Sequence, residues 1–496
     1  MHTPFAPQRP SVSHVFKRTD LQSGQPVWQR AWLLLGLVLM ALVVQGRAWA
    51  QTPLDNIAQV AVGGSHSCAL TKAGGVKCWG ENTHGELGDG TVIHRAFPVD
   101  VTGLTSGVTA IAVGVYHSCA VTTAGVVKCW GYNSSRQLGD GTTTSRSVPV
   151  NVNLTGGSVV SVGAGQDFTC AVTAAGDVKC WGANFFGQLG AGNTTARATV
   201  GDVVGLSGVT SISVGGSHSC AVTNTGAAKC WGYNGGGGLG DNSLTTRSTP
   251  VTVSGLATGV AAVAVGGGGA FSCALTTAGG VKCWGVNMYG PAADMYRLTP
   301  ADVPGMTSGI TAITKGAEYT CALTSGGGVK CWGFNNSGRL GDNTTTNRID
   351  PVDVVGLGSG VVSIAAGPLS QHTCAVTSAG TLKCWGLNAY GALGDGTETA
   401  QYSPATVLAS AATVVNVNAR ADCFFRWAEA SFPQFFPPTA TSVTIPLLYY
   451  RYYPSTRTYL AVLATDSRVY AMGPVTADQP VDLGLLDAFL PTAGCQ

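Results

Sequence analysis

The sequence predicts an all-β protein whose main body is a seven-bladed β-propeller of four-stranded blades. Two observations lead to this prediction. One motif recurs seven times at steps of 48 to 53 residues. The composition is also that of short buried strands joined by tight turns, with 70 glycines in 496 residues and only 10% charged residues. Repeats of this length have room for four strands each and are typical of propeller blades. We place the propeller at residues 58–418.

Each copy of the motif contains two cysteines ten residues apart, and Trp-Gly follows the second one directly. The first cysteines are Cys68, Cys119, Cys170, Cys220, Cys273, Cys321 and Cys374. The second cysteines are Cys78, Cys129, Cys180, Cys230, Cys283, Cys331 and Cys384. In the first copy, residues 66–71 and 76–80 alternate in the manner of strands. Each copy therefore contains a predicted β-hairpin.

The hairpin register and the turn chemistry agree with each other. Pairing Cys68 with Cys78 sets Leu70 opposite Val76 and leaves residues 72–74 as a loop whose third position favours glycine. Glycine stands there in every copy, as Gly74, Gly125, Gly176, Gly226, Gly279, Gly327 and Gly380. Directly opposed residues of this kind have α-carbons about 4.5–5.5 Å apart, which a disulfide accepts. We therefore predict one disulfide in each blade.

Zinc binding is the alternative interpretation of these cysteines. Four copies place a histidine two residues before the first cysteine, as His66, His117, His218 and His372. The other three copies have Asp167, Phe271 or Tyr319 at or near that place. Because a metal site needs a fixed set of ligands, we predict no metal and no other cofactor.

The remainder of each copy supplies two more strands. A Val/Ile alternation precedes the hairpin, as in residues 111–113, and a run containing Pro-Val follows it, as at Pro149-Val150. A further Val/Ile-type strand at Val414–Val417 is a candidate partner for closing the ring. The sequence leaves open which strand closes it.

The first 50 residues have the features of a signal peptide with a long basic leading segment. The apolar run Trp32–Val44 is too short to span a bilayer comfortably, and Ala48-Trp49-Ala50 has the small-x-small pattern of a cleavage site. We predict that residues 1–50 are removed, that 51–57 are a short lead-in, and that no stable membrane span remains. An uncleaved anchor is the alternative. The expected location is a bacterial envelope: periplasm, cell surface or exterior, where disulfides persist.

The predicted mature chain is almost neutral. Residues 1–50 of the full sequence carry five of the 27 basic residues and one of the 25 acidic ones, so their removal leaves 22 basic against 24 acidic residues, a net charge of −2. A protein of this charge lacks the basic surface that nucleic acid requires. We predict no nucleic-acid partner and expect a monomer.

From about Ala421 the repeat stops, and residues 421–496 are predicted to form a small α+β domain. Cys423 and Cys495 are the remaining cysteines and are predicted to join its ends. Residues 424–436 indicate a short helix, and residues 447–453, 458–463 and 468–472 indicate strands. The tyrosines at 449, 450, 452 and 453 either form a sugar-binding face or pack in the core of this domain.

The repeat resembles the regulator of chromosome condensation repeat, also called alpha-tubulin suppressor-like. The family pattern H-S-x-A-L-T-x-x-G-x-V-x-x-W-G-x-N-x-x-G-x-L-G-D-G-T is met almost in full at residues 66–91, 117–142 and 372–397. The resemblance implies a seven-bladed propeller. The family includes a chromatin-binding guanine-nucleotide exchange factor, a plant ultraviolet-B photoreceptor and a secreted bacterial inhibitor of β-lactamases. The contact residues of the β-lactamase inhibitor are not matched one by one in this sequence, so no residue role is carried over from it.

Residues shared by all copies are interpreted as architecture, so chemistry should appear as an exception in one copy. The asparagine after each Trp-Gly-x and the aspartate of Leu-Gly-Asp are interpreted as turn residues. No nucleophile–base arrangement, metalloprotease motif or phosphate loop is present. We therefore predict that the protein is not an enzyme.

The exceptions cluster in the loops that follow Trp-Gly. These loops carry different large side chains from copy to copy, namely Tyr132, Phe185, Phe186, Tyr233, Met288, Tyr289, Phe334 and Tyr390. Equivalent loops of a propeller lie on one rim, where aromatic side chains are good anchors for a partner. The alternative is that several of them tuck between blades.

The sequence thus favours an exported, non-enzymatic recognition scaffold that binds a protein or a polysaccharide through one rim. An inhibitor or regulator of a secreted hydrolase is the alternative function. A guanine-nucleotide exchange factor is a third, which rests on the family resemblance alone.

Overall fold

The computed structural model describes residues 52–267, 271–286 and 296–409, together with the backbone of five strands between residues 441 and 485. Seven four-stranded antiparallel sheets follow one another along the chain, each built from four consecutive strands. Among the residues described, the single helical element is a 3-10 turn at Ala389–Gly391. The predicted seven-bladed propeller of four-stranded blades is therefore confirmed.

The strands are numbered along the chain, so that blade 1 is β1–β4 and blade 7 is β25–β28. The first strands of the blades are β1 (Ile57–Val62), β5 (Val108–Val113), β9 (Val159–Ala164), β13 (Val209–Val214), β17 (Val260–Val265), β21 (Ile310–Lys315) and β25 (Val361–Ala365). The second strands are β2 (His66–Thr71), β6 (His117–Thr122), β10 (Phe168–Thr173), β14 (His218–Thr223), β18 (Phe271–Thr276), β22 (Tyr319–Thr324) and β26 (His372–Thr377). The third strands are β3 (Val76–Gly80), β7 (Val127–Gly131), β11 (Val178–Gly182), β15 (Ala228–Gly232), β19 (Val281–Val286), β23 (Val329–Gly333) and β27 (Leu382–Gly386). The fourth strands are β4 (Arg95–Asp100), β8 (Arg146–Asn151), β12 (Arg197–Asp202), β16 (Arg247–Thr252), β20 (Tyr296–Asp302), β24 (Arg348–Asp353) and β28 (Gln401–Thr406).

The first strand of each blade lies innermost and contacts the first strands of the neighbouring blades. The side-chain amide of Gln59 joins two of these strands. Its Nε2 donates to the Ile111 carbonyl and its Oε1 accepts from the Ile111 backbone N–H, each at 3.3 Å. The fourth strand forms the outer edge of each blade, since it pairs only with the third. The ring is thus closed at its centre and presents seven strand edges outward.

The central hairpin of each blade has the predicted register. Cys68 lies opposite Cys78 and Leu70 opposite Val76, while Gly74 adopts a φ of 82° in the turn. The α-carbons of the two cysteines are 4.1 Å apart, and the other six pairs have the same spacing and are all bonded. So short a distance identifies a pair whose backbone groups point to the flanking strands rather than to each other.

Each seam between blades is filled by one tryptophan and one disulfide. Trp130 of blade 2 packs against the Cys68–Cys78 bond and Leu70 of blade 1, and Trp181 of blade 3 packs in the same way on Cys119 and its partner. These tryptophans are fully buried. Because each seam removes a whole indole ring from water, the ring of blades holds itself together by apolar burial.

The last seam joins blade 7 to blade 1 through the lead-in. The amide of Leu54 donates to the Val407 carbonyl at 2.8 Å, the amide of Ala409 donates to the Thr52 carbonyl at 2.8 Å, and Leu54 is buried among blade 7 residues. Blade 7 has its own four strands, so closure uses no strand taken from another part of the chain.

Beyond the propeller, the structure describes a five-stranded antiparallel sheet. It comprises β29 (Thr441–Ile445), β30 (Leu448–Tyr453), β31 (Thr458–Leu463), β32 (Arg468–Met472) and β33 (Val481–Leu485). Its three middle strands coincide with the segments that the sequence indicates as strands, and β29 and β33 are additional.

Several predictions concern residues outside those described. They are the signal peptide of residues 1–50, the candidate strand 414–417, the helix at 424–436 and the Cys423–Cys495 disulfide. The described part of the chain contains no helix whose length and apolar character would carry it across a bilayer.

Candidate binding face

The loops between first and second strands and those between third and fourth strands emerge at the same end of the propeller, which we call the upper face. Contacts between the two loop types confirm this placement, because the amide of Glu81 donates to the Ser65 carbonyl at 2.9 Å. The long loops after Trp-Gly lie on the upper face. All the described residues that the sequence predicts as partner-binding candidates lie in these loops.

A buried asparagine organises each long loop that the structure describes. Asn82 accepts from the Leu87 amide at 2.9 Å and donates to the carbonyls of Thr91 and Ile93 at 3.1 and 3.0 Å. The same bonds recur around Asn133, Asn184, Asn234, Asn335 and Asn388. The prediction that the asparagines bond local backbone is confirmed for these six, and each of their loops therefore has the same frame whatever side chains it carries.

The aspartate of Leu-Gly-Asp has a second role that the sequence interpretation missed. Asp89 accepts from the Thr91 amide at 2.9 Å, as a turn residue does, and also pairs with Arg95 of the outer strand at 3.0 Å. Burial would raise the pKa of Asp89, yet hydrogen bonds from Thr91 and Arg95 bring it below its ordinary value. The arginine six residues downstream was the signal for this pair.

Under the loops, histidines link neighbouring blades. His117 Nε2 lies 2.8 Å from Thr169 Oγ1, and that hydroxyl donates to the Gln137 carbonyl at 2.8 Å. Trp181 Nε1 donates to the same carbonyl at 2.9 Å. Since the threonine hydrogen is used, His117 must be the donor through Nε2. Burial lowers the pKa of His117 to about 3, so its imidazole is neutral.

The same linkage occurs wherever the histidine is present. His66, His218 and His372 bond to Ser118, Ser272 and Ser67 of the next blade at 2.8–2.9 Å. Burial lowers the pKa to about 3 for His66 and His218 and to about 4 for His372. These histidines are structural links between blades. Among the described residues, no three His, Cys, Asp or Glu side chains are placed to hold a metal ion.

Three blades replace this histidine with an aromatic ring. Phe168, rather than Asp167, occupies the position in blade 3, and Phe271 and Tyr319 occupy it in blades 5 and 6. In blade 6, Lys315 stands almost fully buried where the other blades have valine or alanine, with its amine 4.1 Å from the centre of the Phe271 ring. Burial lowers the pKa of Lys315 to about 7.

The predicted partner-binding residues fall into two groups according to their position in the loop. Tyr132, Tyr233 and Phe334 directly follow Trp-Gly, before the asparagine, and are partly buried. Their amides are fixed to the neighbouring loop of the same blade, as Tyr132 N is to the Tyr116 carbonyl at 2.8 Å. Their rings pack on adjacent side chains, such as Arg339 over Phe334 at 4.8 Å. Their partial burial is closer to the alternative that several of the loop aromatics tuck between blades.

Residues that follow the asparagine point outward. Phe185, Phe186 and Tyr390 are 76%, 40% and 43% exposed. Phe186 also meets Tyr233 of blade 4 at 5.0 Å, edge to face. Tyr390 lies 4.6 Å from the His94 ring of blade 1. Met288 and Tyr289 lie outside the residues described.

Sequence reasoning missed further apolar and aromatic groups on this face. Val92, Ile93 and Leu244 are 60%, 59% and 53% exposed. They replace the threonine-type residues that most copies carry at these loop positions, and that departure was the available signal. His84 stacks on Tyr132 at 4.6 Å and lies 6.5 Å from Tyr116.

Together these groups form an arc on the upper face that runs from blade 7 through blades 1, 2 and 3 to blade 4. We call this set the aromatic arc, and its members are Tyr390, Val92, Ile93, His94, His84, Tyr116, Tyr132, Phe185, Phe186, Tyr233 and Leu244. It stands on blades that each contain a disulfide-bonded hairpin, so its members are held by rigid elements.

With this geometry in place, comparison with known proteins identifies the family. The family model for the RCC1-like domain matches residues 44–291, half of the chain. The chain belongs to this family. Models of the regulator of chromosome condensation (RCC1) repeat match the other half of this RCC1-like propeller, at residues 310–339, 327–376 and 361–392.

The propeller is similar to parts of larger or different proteins. Human probable E3 ubiquitin-protein ligase HERC4 is 37% identical over 143 residues, which are 28% of this chain and 14% of HERC4. The ultraviolet-B receptor UVR8 of Arabidopsis thaliana is 36% identical over 140 residues, which are 28% of this chain and 32% of the receptor. The chain thus spans less than a third of either relative.

Among solved structures, Prp20p of Saccharomyces cerevisiae superposes with a TM-score of 0.60 at 22% identity, covering 69% of this chain and 88% of Prp20p. The crystal structure of Prp20p was described together with its binding to Gsp1p and histones. At this identity the likeness shows the fold.

Proposed function

We propose that this RCC1-like propeller is an exported, non-enzymatic recognition scaffold that binds a partner protein through the aromatic arc. The observation that supports this proposal most directly is the exposure of Phe185, Phe186 and Tyr390 on a rigid frame. Aromatic side chains held in this way bury a large apolar surface on binding with little loss of conformational freedom.

A protein surface suits the arc better than a polysaccharide does. Val92, Ile93 and Leu244 gain from burial against apolar side chains, whereas a sugar offers its C–H faces mainly to flat rings. The seven seams leave the frame rigid, so binding needs little rearrangement of the scaffold. A secreted hydrolase that is inhibited by the propeller is one such partner. The identity of the bound protein distinguishes an inhibitor from a general recognition scaffold.

The test is capture of envelope proteins by the immobilised chain beginning at Gln51. The comparison variant carries Phe185→Ser with Phe186→Ser, which gives blade 3 the Asn-Ser-Ser loop of blade 2. Ser134→Ala, at the corresponding place in blade 2, is the matched control. We expect the wild type and the control to retain one protein that the double variant loses.

Treatment of the extract separates the two chemical classes. Loss of the bound material after protease treatment identifies a protein partner, and loss after glycosidase treatment identifies a polysaccharide. Equal capture by the wild type and the double variant would overturn the proposed use of the arc. N-terminal sequencing of the secreted form tests export, for which a start at or near Gln51 is expected.

A further inference from the structure

The outer edge of blade 3 differs in four ways from the outer edges of blades 1, 2 and 4, which the structure describes in full. The fourth strand of six blades carries a proline at the third position from its end, at Pro98, Pro149, Pro250, Pro300, Pro351 and Pro404. In β12 that position is Val200. Proline on an edge strand removes a donor and so protects the edge from pairing with another chain. Blade 3 lacks this protection.

The register shows that the Val200 amide points outward. Because Cys170 and Cys180 are close opposed partners, the backbone groups of Cys180 point toward β12 and pair with Gly201. The neighbouring residue in the strand, Val200, therefore directs its N–H and C=O away from β11. In the other blades the ring of proline occupies this direction.

The second difference is a missing backbone hydrogen bond from the preceding blade, which we call the clamp. Around the ring, a loop amide of one blade donates to a carbonyl of the next outer strand, that of the residue two positions before the proline. The described pairs are Gly90 with Ser147, Gly192 with Ser248, Asn242 with Leu298, Asn343 with Tyr402 and Gly396 with Ala96, at 2.9–3.1 Å. The equivalent pair between blades 2 and 3, Gly141 and Ala198, does not form this bond. The Ala198 carbonyl is thereby left on the open edge beside Val200.

A single substitution explains the missing clamp. Three residues after the asparagine of blade 1, Gly85 lets the loop lie close to blade 2. A Cβ at Gly85 would stand 2.5 Å from the Ser147 α-carbon. Glycine also stands at the described equivalents in blades 3, 4, 6 and 7. In blade 2 the residue is Arg136, which has a side chain and a φ of 66°. Arg136 therefore holds the loop of blade 2 away from β12.

The third and fourth differences concern charge. The outer-strand arginines Arg95, Arg146, Arg247 and Arg348 each pair with the aspartate of their loop. In blade 3 that aspartate is Ala191, and Arg197 instead donates to the backbone carbonyl of Asp202. Neither Arg197 nor Arg136 forms an ion pair within the described part of the chain. Arg197 therefore stands on the open edge strand without an ion-pair partner, and Arg136 stands in the loop of the preceding blade.

We propose that β12, the outer strand of blade 3, is a docking edge that pairs with an extended, acidic segment of a partner protein. The outward groups of Ala198 and Val200 supply the backbone hydrogen bonds of strand addition, and Arg136 and Arg197 select carboxylate side chains. This edge lies on the circumference of the propeller and is separate from the aromatic arc. Its failure and the failure of the arc are therefore independent outcomes.

The test begins with a phage-displayed library of random twelve-residue peptides, selected on the immobilised chain from Gln51 and counter-selected on Val200→Pro. This variant gives blade 3 the proline that the six other blades carry at the same position, so the fold should tolerate it. Enriched peptides should be rich in aspartate or glutamate and in β-branched residues. One enriched peptide is then synthesised with a fluorescent label for polarisation measurements.

We expect affinity for this peptide to fall by about ten-fold or more in Val200→Pro, since one or two backbone hydrogen bonds are lost. Arg136→Gly should have a similar effect, because it allows the Gly141–Ala198 clamp to form and closes the edge. Val200→Ala keeps the amide and should bind within about two-fold of the wild type. Amide exchange within residues 197–202 should slow when the peptide binds.

Two results would overturn the proposal. One is a selection in which no peptide distinguishes the wild type from both Val200→Pro and Arg136→Gly. The other is a concentration-dependent dimer, seen by sedimentation, that these variants abolish, because the occupant of the edge would then be a second copy of this chain. If Val200→Pro melts earlier than the wild type, Arg136→Gly decides the test, since it restores the residue that the other described loops carry.

Discussion

The seams between the blades and the loops above them are adjacent regions with opposite patterns of variation. Every described seam repeats the same tryptophan and disulfide, and most add a histidine or another hydrogen-bonding side chain beneath the loop. The described long loops repeat their asparagine frame, but the side chains that point outward differ from blade to blade. Trp181 and Phe185 thus belong to the same blade, but Trp181 packs in a seam and Phe185 points outward from a loop.

The difference shows how a repeat protein separates stability from recognition. A seam residue is constrained by two blades at once, so changing it leaves a cavity or an unpaired polar group. An outward loop residue contacts few neighbours and can change freely while the asparagine keeps the backbone in place. Measurements of stability and binding should therefore respond to different mutations.

Acid should produce the largest effect on the seams. Four buried histidines have pKa values of about 3 to 4, well below that of an unfolded histidine. Their contribution is complete above about pH 6.5 and is lost as the pH falls, at about 2 kcal/mol each between pH 7 and 5. Glu86, whose pKa burial raises to about 7, offsets roughly one of them. Urea unfolding at pH 5 and 7 should show a difference of several kcal/mol.

His117→Phe is the matched control, because blade 3 carries Phe168 at this position. It should reduce the pH dependence of unfolding by about 1.4 kcal/mol per pH unit below pH 6. An unchanged pH dependence would mean that His117 is protonated in the folded protein.

Loss of a seam tryptophan should have the next largest effect. Trp181→Ala removes a fully buried indole and its bond to the Gln137 carbonyl, and should lower the free energy of unfolding by about 3–5 kcal/mol. Chemical denaturation measures this change. A loss below 1 kcal/mol would show that the seams are not the source of stability.

Removal of a single disulfide should cost about 3 kcal/mol, because each bond closes a short loop in the unfolded chain. Cys119→Ala with Cys129→Ala tests this value by the same measurement. Thiol titration of the denatured, unreduced wild type should find none of the fourteen hairpin cysteines free. We also predict the Cys423–Cys495 bond, so two or more free thiols would contradict the full set of eight disulfides.

The loop variant should have the smallest effect on stability. Phe185→Ser with Phe186→Ser should change the free energy of unfolding by less than about 1 kcal/mol, while weakening partner binding by about 2 kcal/mol or more. Melting temperature and affinity, measured on the same sample, check both. A stability loss comparable to that of Trp181→Ala would place these rings in the core and remove the main support for the arc.

The hairpins could be predicted closely from the sequence. The cysteine spacing and Gly74 are independent signs of one register, and both depend on local geometry. The exposure of the loop aromatics could not be predicted from residue type alone. Tyr132 and Phe185 are both large rings in equivalent loops, but one precedes the asparagine and is fixed to the neighbouring loop, and the other follows it.

The contacts between blades could not be predicted from one copy of the repeat considered by itself. The His117–Thr169 bond joins residues of different repeats, and neither residue predicts its partner. Comparison of the copies would have identified Arg136 and Val200 as exceptions, but their common effect on one outer edge becomes visible only when blades 2 and 3 stand side by side.

The seam that joins blade 7 to blade 1 also determines the order in which the ring can be completed. Hairpins within blades join residues close in sequence and can form early, whereas Leu54 must wait for Val407. Because synthesis delivers the lead-in first and its partners last, the ring stays open until almost the whole propeller has emerged, and contacts of such long range form slowly. During that interval Trp79 and its unfilled seam are exposed to aggregation, so a chaperone that shields this first blade would act at the most vulnerable point of assembly.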